Sequence, residues 1–141
     1  MRNGQVAALV ISALLMPLLA GRGAAQTIQF TVKELALKSG ESSEVTDIYW
    51  ISTHCKSLLK SPPEVEILDG PPGVTATINP AKVVPRGYAC AGPVSGGKLV
   101  ISAKDVQEYS YSRMVLRITY RTFNGDRQRS ENINLTVYPP N

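Results

Sequence analysis

The chain has few of the residues from which catalytic sites are built. It contains one histidine, two cysteines and nine aromatic residues among 141. A serine or cysteine nucleophile needs a neighbouring base, and His54 is the one histidine that can serve. No serine stands in a Gly-x-Ser-x-Gly turn, because Pro93 occupies the place of the first glycine before Ser95. We therefore expect no enzyme.

The chain also lacks an apolar run long enough to cross a membrane. The longest run, residues 6–20, is interrupted by Pro17 and is shorter than the roughly 20 residues that a spanning helix needs. It follows Arg2 and precedes the small residues 23–25, which is the pattern of a secretory signal peptide. We expect residues 1–25 to be removed and residues 26–141 to form one periplasmic or secreted domain.

A large charge of one sign is missing as well. Without Arg2 and Arg22 of the leader, 13 of the 15 Lys and Arg residues remain against 11 Asp and Glu, a net charge of +2. Nucleic-acid binding depends on dense positive charge. The sequence therefore predicts no nucleic-acid partner, and any basic site has to be argued from its position.

The two cysteines are predicted to form a disulfide. Exported proteins with an even number of cysteines usually pair them, and Cys55 and Cys90 are the only two present. Closing a loop of this size removes roughly 4 kcal/mol of unfolded-chain entropy. A metal site formed by His54 with both thiolates would require reduced cysteines, so we expect no metal. No cofactor motif is present: the glycine-rich residues 92–97 lack the lysine of a phosphate loop.

Alternation of apolar and polar residues predicts β-strands throughout the mature chain, with almost no helical periodicity. Turn-forming residues separate the runs. The predicted strands cover residues 27–35, 45–51, 64–68, 74–78 and 98–103, followed by the two arms of a C-terminal hairpin.

Two stretches are expected to depart from regular strands. Residues 61–97 hold seven of the ten prolines and six of the eleven glycines, so they are predicted to form only edge strands and loops. Residues 102–105 resemble a helix-capping box, which predicts one helical turn over residues 104–108.

The C-terminal hairpin is predicted from Asn124 and Gly125, the favoured central pair of a type I′ turn. This turn places Met114 opposite Leu135 and Leu116 opposite Ile133. One face is then mostly apolar and the other mostly polar, a separation that a one-residue shift would destroy.

These elements predict an all-β fold, a Greek-key β-sandwich of about seven strands with one disulfide. Its architecture resembles that of immunoglobulin and fibronectin domains. The sequence Tyr88-Ala89-Cys90 is similar to the Tyr-x-Cys around the second immunoglobulin cysteine, but Trp50 precedes the first cysteine instead of following it. The resemblance therefore concerns architecture only.

Three arginines on the polar side of one hairpin strand are the candidate binding residues. Arg113, Arg117 and Arg121 are spaced by four residues, about 13 Å along a strand. In the predicted register their cross-strand partners are not acidic, so their guanidinium groups can bind sulfate, phosphate or carboxylate. Exposed arginines also commonly serve solubility alone. Tyr109 and Tyr111, together with Tyr120, can add contact area, although core and corner positions are the commoner use of tyrosine in sandwiches.

The sequence thus predicts an exported, non-enzymatic binding or interaction module whose partner is an anionic surface polymer or a protein. Two alternatives belong to other classes. One is a secreted inhibitor that presents the disulfide-linked residues 87–97 to a hydrolase. The other is a structural subunit that pairs through an edge strand at residues 27–35.

Overall fold

Seven β-strands make up the regular structure of residues 33–141, the part of the chain that the computed structural model describes. The predicted leader and residues 27–32 of the first predicted strand lie outside the described residues. The strands are, in chain order, β1 (Lys33–Lys38), β2 (Ser42–Ile48), β3 (Glu64–Asp69), β4 (Val74–Val83), β5 (Val94–Ala103), β6 (Ser110–Thr122) and β7 (Gly125–Tyr138).

The strands form two sheets. The front sheet has the order β1-β7-β6-β3, and the back sheet has the order β2-β5-β4. β1 runs parallel to β7, and the other neighbours are antiparallel. This arrangement confirms the predicted all-β, sandwich-like class. The Greek-key and immunoglobulin-like details stay a prediction.

The core lies between the sheets and is built from alternate residues of the strands. Side chains of a strand point to opposite faces in turn, so a period of two directs every second residue inward. The largest contribution comes from the long strands β5, β6 and β7. The buried apolar residues include Leu37, Ile48, Leu99, Ile101, Met114, Leu116, Ile118, Tyr120, Ile133, Leu135 and Val137.

The hairpin of β6 and β7 forms, but its register differs from the prediction by two residues. Met114 lies opposite Ile133 instead of Leu135. The central turn residues are Phe123 and Asn124, and Gly125 follows them at φ 99°. A type I turn followed by a left-handed glycine accounts for this, since a type I′ turn would need positive φ at both central residues. Because the shift is even, the predicted apolar and polar faces are unchanged.

The proline-rich middle of the chain is partly more regular than predicted. β3 and β4 are outer strands of their sheets, as expected, and Pro80 lies in β4. In contrast, β5 begins at Val94 and lies at the centre of the back sheet, so Gly96 and Gly97 belong to a strand. They fit there because a Cβ on Gly96 would overlap the carbonyl oxygen of Ile48.

The predicted helical turn at residues 104–108 does not form. Asp105 has φ 56°, in the left-handed region, which breaks a right-handed turn. The nearby groups have other partners: the Lys104 amide donates to the Gly73 carbonyl, and the Val106 amide donates to Ser39 Oγ. These bonds connect the loop to two other turns at the same end of the molecule.

The predicted disulfide is present. Cys55 and Cys90 are joined, with Cα atoms 5.6 Å apart. The bond links the loop after β2 to the loop before β5. These loops have little regular secondary structure, and the disulfide links them covalently.

Candidate binding surface

The outer face of the front sheet carries the three arginines. In β6 the buried residues from Met114 to Tyr120 have even numbers, so the odd-numbered residues face outward. Arg113, Arg117 and Arg121 therefore share this face, as the sequence predicts.

Two of the three arginines are paired with carboxylates. Arg117 lies 2.9 Å from a Glu66 carboxylate oxygen, and Arg121 lies 2.8 Å from Glu64 and 2.6 Å from Asp126. The hydrogen bond and charge of Glu64, followed by the charge of Asp126, raise the pKa of Arg121. The expectation that the cross-strand partners are not acidic is wrong for Arg117 and Arg121. The two-residue shift brings Asp126 opposite Arg121, and β3 supplies both glutamates.

Arg113 is different because it forms none of the ion pairs made within residues 33–141. Its cross-strand neighbour is Asn134, whose amide donates to the Glu34 carboxylate at 2.6 Å. That carboxylate is thus engaged by an amide. Arg113 is exposed, and its guanidinium group can bind an anion from outside.

Three exposed tyrosines lie at the Arg113 end of the same sheet. Tyr109, Tyr111 and Tyr138 are 59%, 60% and 48% exposed, and the rings of Tyr109 and Tyr138 are 5.5 Å apart. Lys38 lies opposite Tyr138 on β1. We call Tyr109, Tyr111, Tyr138, Lys38 and Arg113 together the tyrosine surface. Exposed aromatic rings that cluster, rather than scatter, mark an interaction site.

The sequence contained part of this signal. Tyr109, Tyr111 and Arg113 alternate with other residues, and in an extended chain this spacing puts them on one face. Of the three tyrosines that the sequence offers for contact area, Tyr109 and Tyr111 are exposed, whereas Tyr120 is in the core. Tyr138 joins the set through the β6–β7 register, which local spacing does not determine.

A recess lies between β2 and β7, with a volume of about 350 Å³. Its walls include Tyr49, Trp50 and Tyr88, and the Arg129 guanidinium carbon lies 5.9 Å from the centre of the Trp50 ring. The Cys55–Cys90 disulfide joins the loops that carry Trp50 and Tyr88. Tyr120 lies at the bottom of the recess, and its ring packs 5.0 Å from that of Trp50.

The Tyr120 hydroxyl makes folding sensitive to alkaline pH. Burial raises its pKa above the ordinary value of 10.0, Arg129 opposes this shift, and Glu131 adds to it. The neutral hydroxyl therefore contributes stability that is complete below pH 10, the unfolded-state pKa, and is lost as the pH rises through the folded-state pKa.

We expect the free energy of unfolding to fall above about pH 10, and to fall less steeply in Tyr120→Phe. Urea denaturation across this range measures both slopes. Tyr111→Phe removes an exposed hydroxyl and should keep the wild-type slope. Lys98, whose pKa is raised mainly by its hydrogen bond to Asp47, acts in the same direction and is retained in both variants. Identical slopes for Tyr120→Phe and wild type would contradict this account.

The other residues considered from the sequence are apart from these surfaces. His54 lies in an exposed turn, 3.4 Å from the Thr53 hydroxyl, and both cysteines are in the disulfide. Within residues 33–141, no three His, Cys, Asp or Glu side chains cluster as metal ligands would. Residues 87–93 form an exposed loop, whereas residues 94–97 belong to β5.

In residues 33–141 no helix is long and apolar enough to span a membrane. No protein-family model, no curated protein and no solved structure matches this chain.

Proposed function

We propose that this protein is an exported, non-enzymatic binding module that contacts an extended partner through the tyrosine surface. The observation that carries the proposal is the group of three exposed tyrosines at the Arg113 end of the front sheet. Of the three arginines predicted as binding residues, Arg113 is the one without a carboxylate partner within residues 33–141. Tyrosine provides a large, rigid contact area together with a hydroxyl, which favours its use in interfaces.

Export is part of this proposal. The pattern of residues 1–25 supports it, and so does the disulfide, because disulfides persist mainly in oxidising compartments. An exported module of this kind meets its partners at the cell envelope or outside the cell. The proposed partner is therefore an envelope or extracellular molecule.

Replacing Tyr109 and Tyr111 together with alanine should weaken retention on cell-envelope material by about tenfold, equivalent to about 1.4 kcal/mol of binding free energy. The reason is the loss of two exposed rings from the contact area. Co-sedimentation of the purified domain with washed envelopes, at increasing domain concentration, measures the change. Both side chains are exposed, so the fold should persist, and thermal unfolding checks this.

Phe123→Ala is the matched control. Phe123 is an exposed aromatic residue, 73% accessible, but it lies in the hairpin turn, away from the tyrosine surface. Its removal should leave retention unchanged. Equal retention of wild type and the double tyrosine variant would contradict the proposal, as would an equal loss in Phe123→Ala.

The inhibitor is the second candidate, favoured by one observation. Tyr88 is 62% exposed at the tip of a loop that the disulfide ties to the domain. A constrained, exposed loop is suited to insertion into a partner's cleft, because less conformational entropy is lost on binding. The tyrosine surface ranks first because three exposed aromatic residues and an arginine without a carboxylate partner lie at one end of the same sheet.

A further inference from the structure

We infer that the ligand of the tyrosine surface is a polysaccharide bearing carboxylates, whose sugar rings lie on the tyrosines and whose acid groups meet Arg113 and Lys38. This inference rests on the proposed function, since it names the ligand of the same surface.

The shape favours an extended chain. Tyr111 and Tyr138 belong to neighbouring strands, and residues on one face of a sheet are spaced by about 7 Å along a strand and about 5 Å across strands. The surface is therefore a broad face instead of a closed pocket of the kind that encloses small ligands. Tyrosine rings with two rotatable bonds lose little entropy when a ring of the ligand is placed on them.

The free cations favour a carboxylate. Arg113 and Lys38 form no ion pair with another residue of 33–141, so both can pair with an external anion. A guanidinium group binds a planar carboxylate through two parallel hydrogen bonds, which one arginine can supply alone. Lysine adds a point charge beside Tyr138.

The charge density favours a sparse anion. Arg117 and Arg121 lie further along the same face of β6, but their charges are neutralised by Glu66, Glu64 and Asp126. Binding a polymer with a charge on every unit, such as polyphosphate or nucleic acid, depends on many cations that neutralise successive phosphates. Two free cations match a polymer in which neutral hydroxylated surface separates the acid groups.

Affinity electrophoresis with hyaluronate, dextran or polyphosphate in the gel tests the inference. Hyaluronate carries a carboxylate on every second sugar only. We expect it to retard the protein, and dextran to do so at least tenfold more weakly because it lacks carboxylates. Polyphosphate should not retard the protein more strongly than hyaluronate does. The salt dependence should be shallow, corresponding to about two cationic contacts.

Variants assign the binding to this surface. Arg113→Gln should weaken hyaluronate binding by about tenfold, and Tyr111→Ala should weaken it to a similar extent. Arg117→Gln removes an arginine that is already paired, and Phe123→Ala removes an exposed aromatic residue elsewhere. Both controls should bind as the wild type does.

The outcomes separate this inference from the proposed function. Equal binding of dextran and hyaluronate, a preference for polyphosphate, or unchanged hyaluronate binding by Arg113→Gln would overturn the carboxylated ligand. If no glycan binds but envelope retention still depends on Tyr109 and Tyr111, the inference fails and the proposed function stands. If envelope retention is also independent of the tyrosines, both fail.

Discussion

Reduction of the Cys55–Cys90 disulfide should lower the free energy of unfolding by about 4 kcal/mol. The bond closes a loop of 35 residues, and without it the unfolded chain regains the conformations that this closure forbids. The loss is comparable to the total stability of many small domains. Urea denaturation of the oxidised and reduced protein measures it, with the tryptophan fluorescence of Trp50 as the signal.

Trp50 makes this experiment informative about the recess between β2 and β7. It is the only tryptophan of the chain, and it stands five residues before Cys55 in the sequence. Its ring packs against that of Tyr120. Reduction should therefore also change the native-state emission, because the loop that follows Trp50 is released. The Cys55→Ser/Cys90→Ser double variant is the control: it should match the reduced wild type and should not respond to a reducing agent. A loss of less than about 1 kcal/mol would show that the loops are held mainly by their other contacts.

Gly96→Ala should destabilise the fold by about 3 kcal/mol. A Cβ at this position would overlap the carbonyl oxygen of Ile48 and lie 3.0 Å from Val83 Cγ2. The oxygen belongs to the backbone at the end of β2, so it cannot turn aside as a side chain does. Ile48 and Gly97 are paired between β2 and β5, and relief of the overlap would disturb that pairing.

Gly92→Ala is the matched control for this prediction. Gly92 lies in the loop before β5, and a Cβ there meets no atom within 4 Å. Its φ is not in the left-handed region, so alanine is tolerated. Urea denaturation of the two variants gives the comparison. Equal free energies of unfolding for Gly96→Ala and Gly92→Ala would show that the back sheet accommodates the added Cβ without loss of stability, which would contradict the prediction.

Local patterns predicted the strands well because they report on burial. The recurrence of Met114, Leu116 and Ile118 at every second position gave the correct inward face of β6. The hairpin register was wrong by two residues because it depends on which residue takes positive φ. Gly125 takes it after the turn instead of within it. The helical turn at residues 104–108 was wrong because distant turns bind the amides of that loop.

The candidate site required more of the tertiary structure. Glu64 and Arg121 are 57 residues apart in the chain, and their contact depends on the pairing of β3 with β6. The spacing of the arginines predicted a shared face, but not which of them is neutralised. Tyr138 approaches Tyr109 only through the register of β6 and β7.

By itself the sequence determined the all-β class, the faces of the strands, and the pairing of the only two cysteines. These properties follow from alternation along the chain and from composition, which are local. The tertiary structure decided that Arg113 differs from Arg117 and Arg121, that Tyr138 packs against Tyr109 at the Arg113 end of the sheet, and that Gly96 lies in a central strand. These depend on distances between segments far apart in the chain, which are set when the register of one strand against another is fixed by packing.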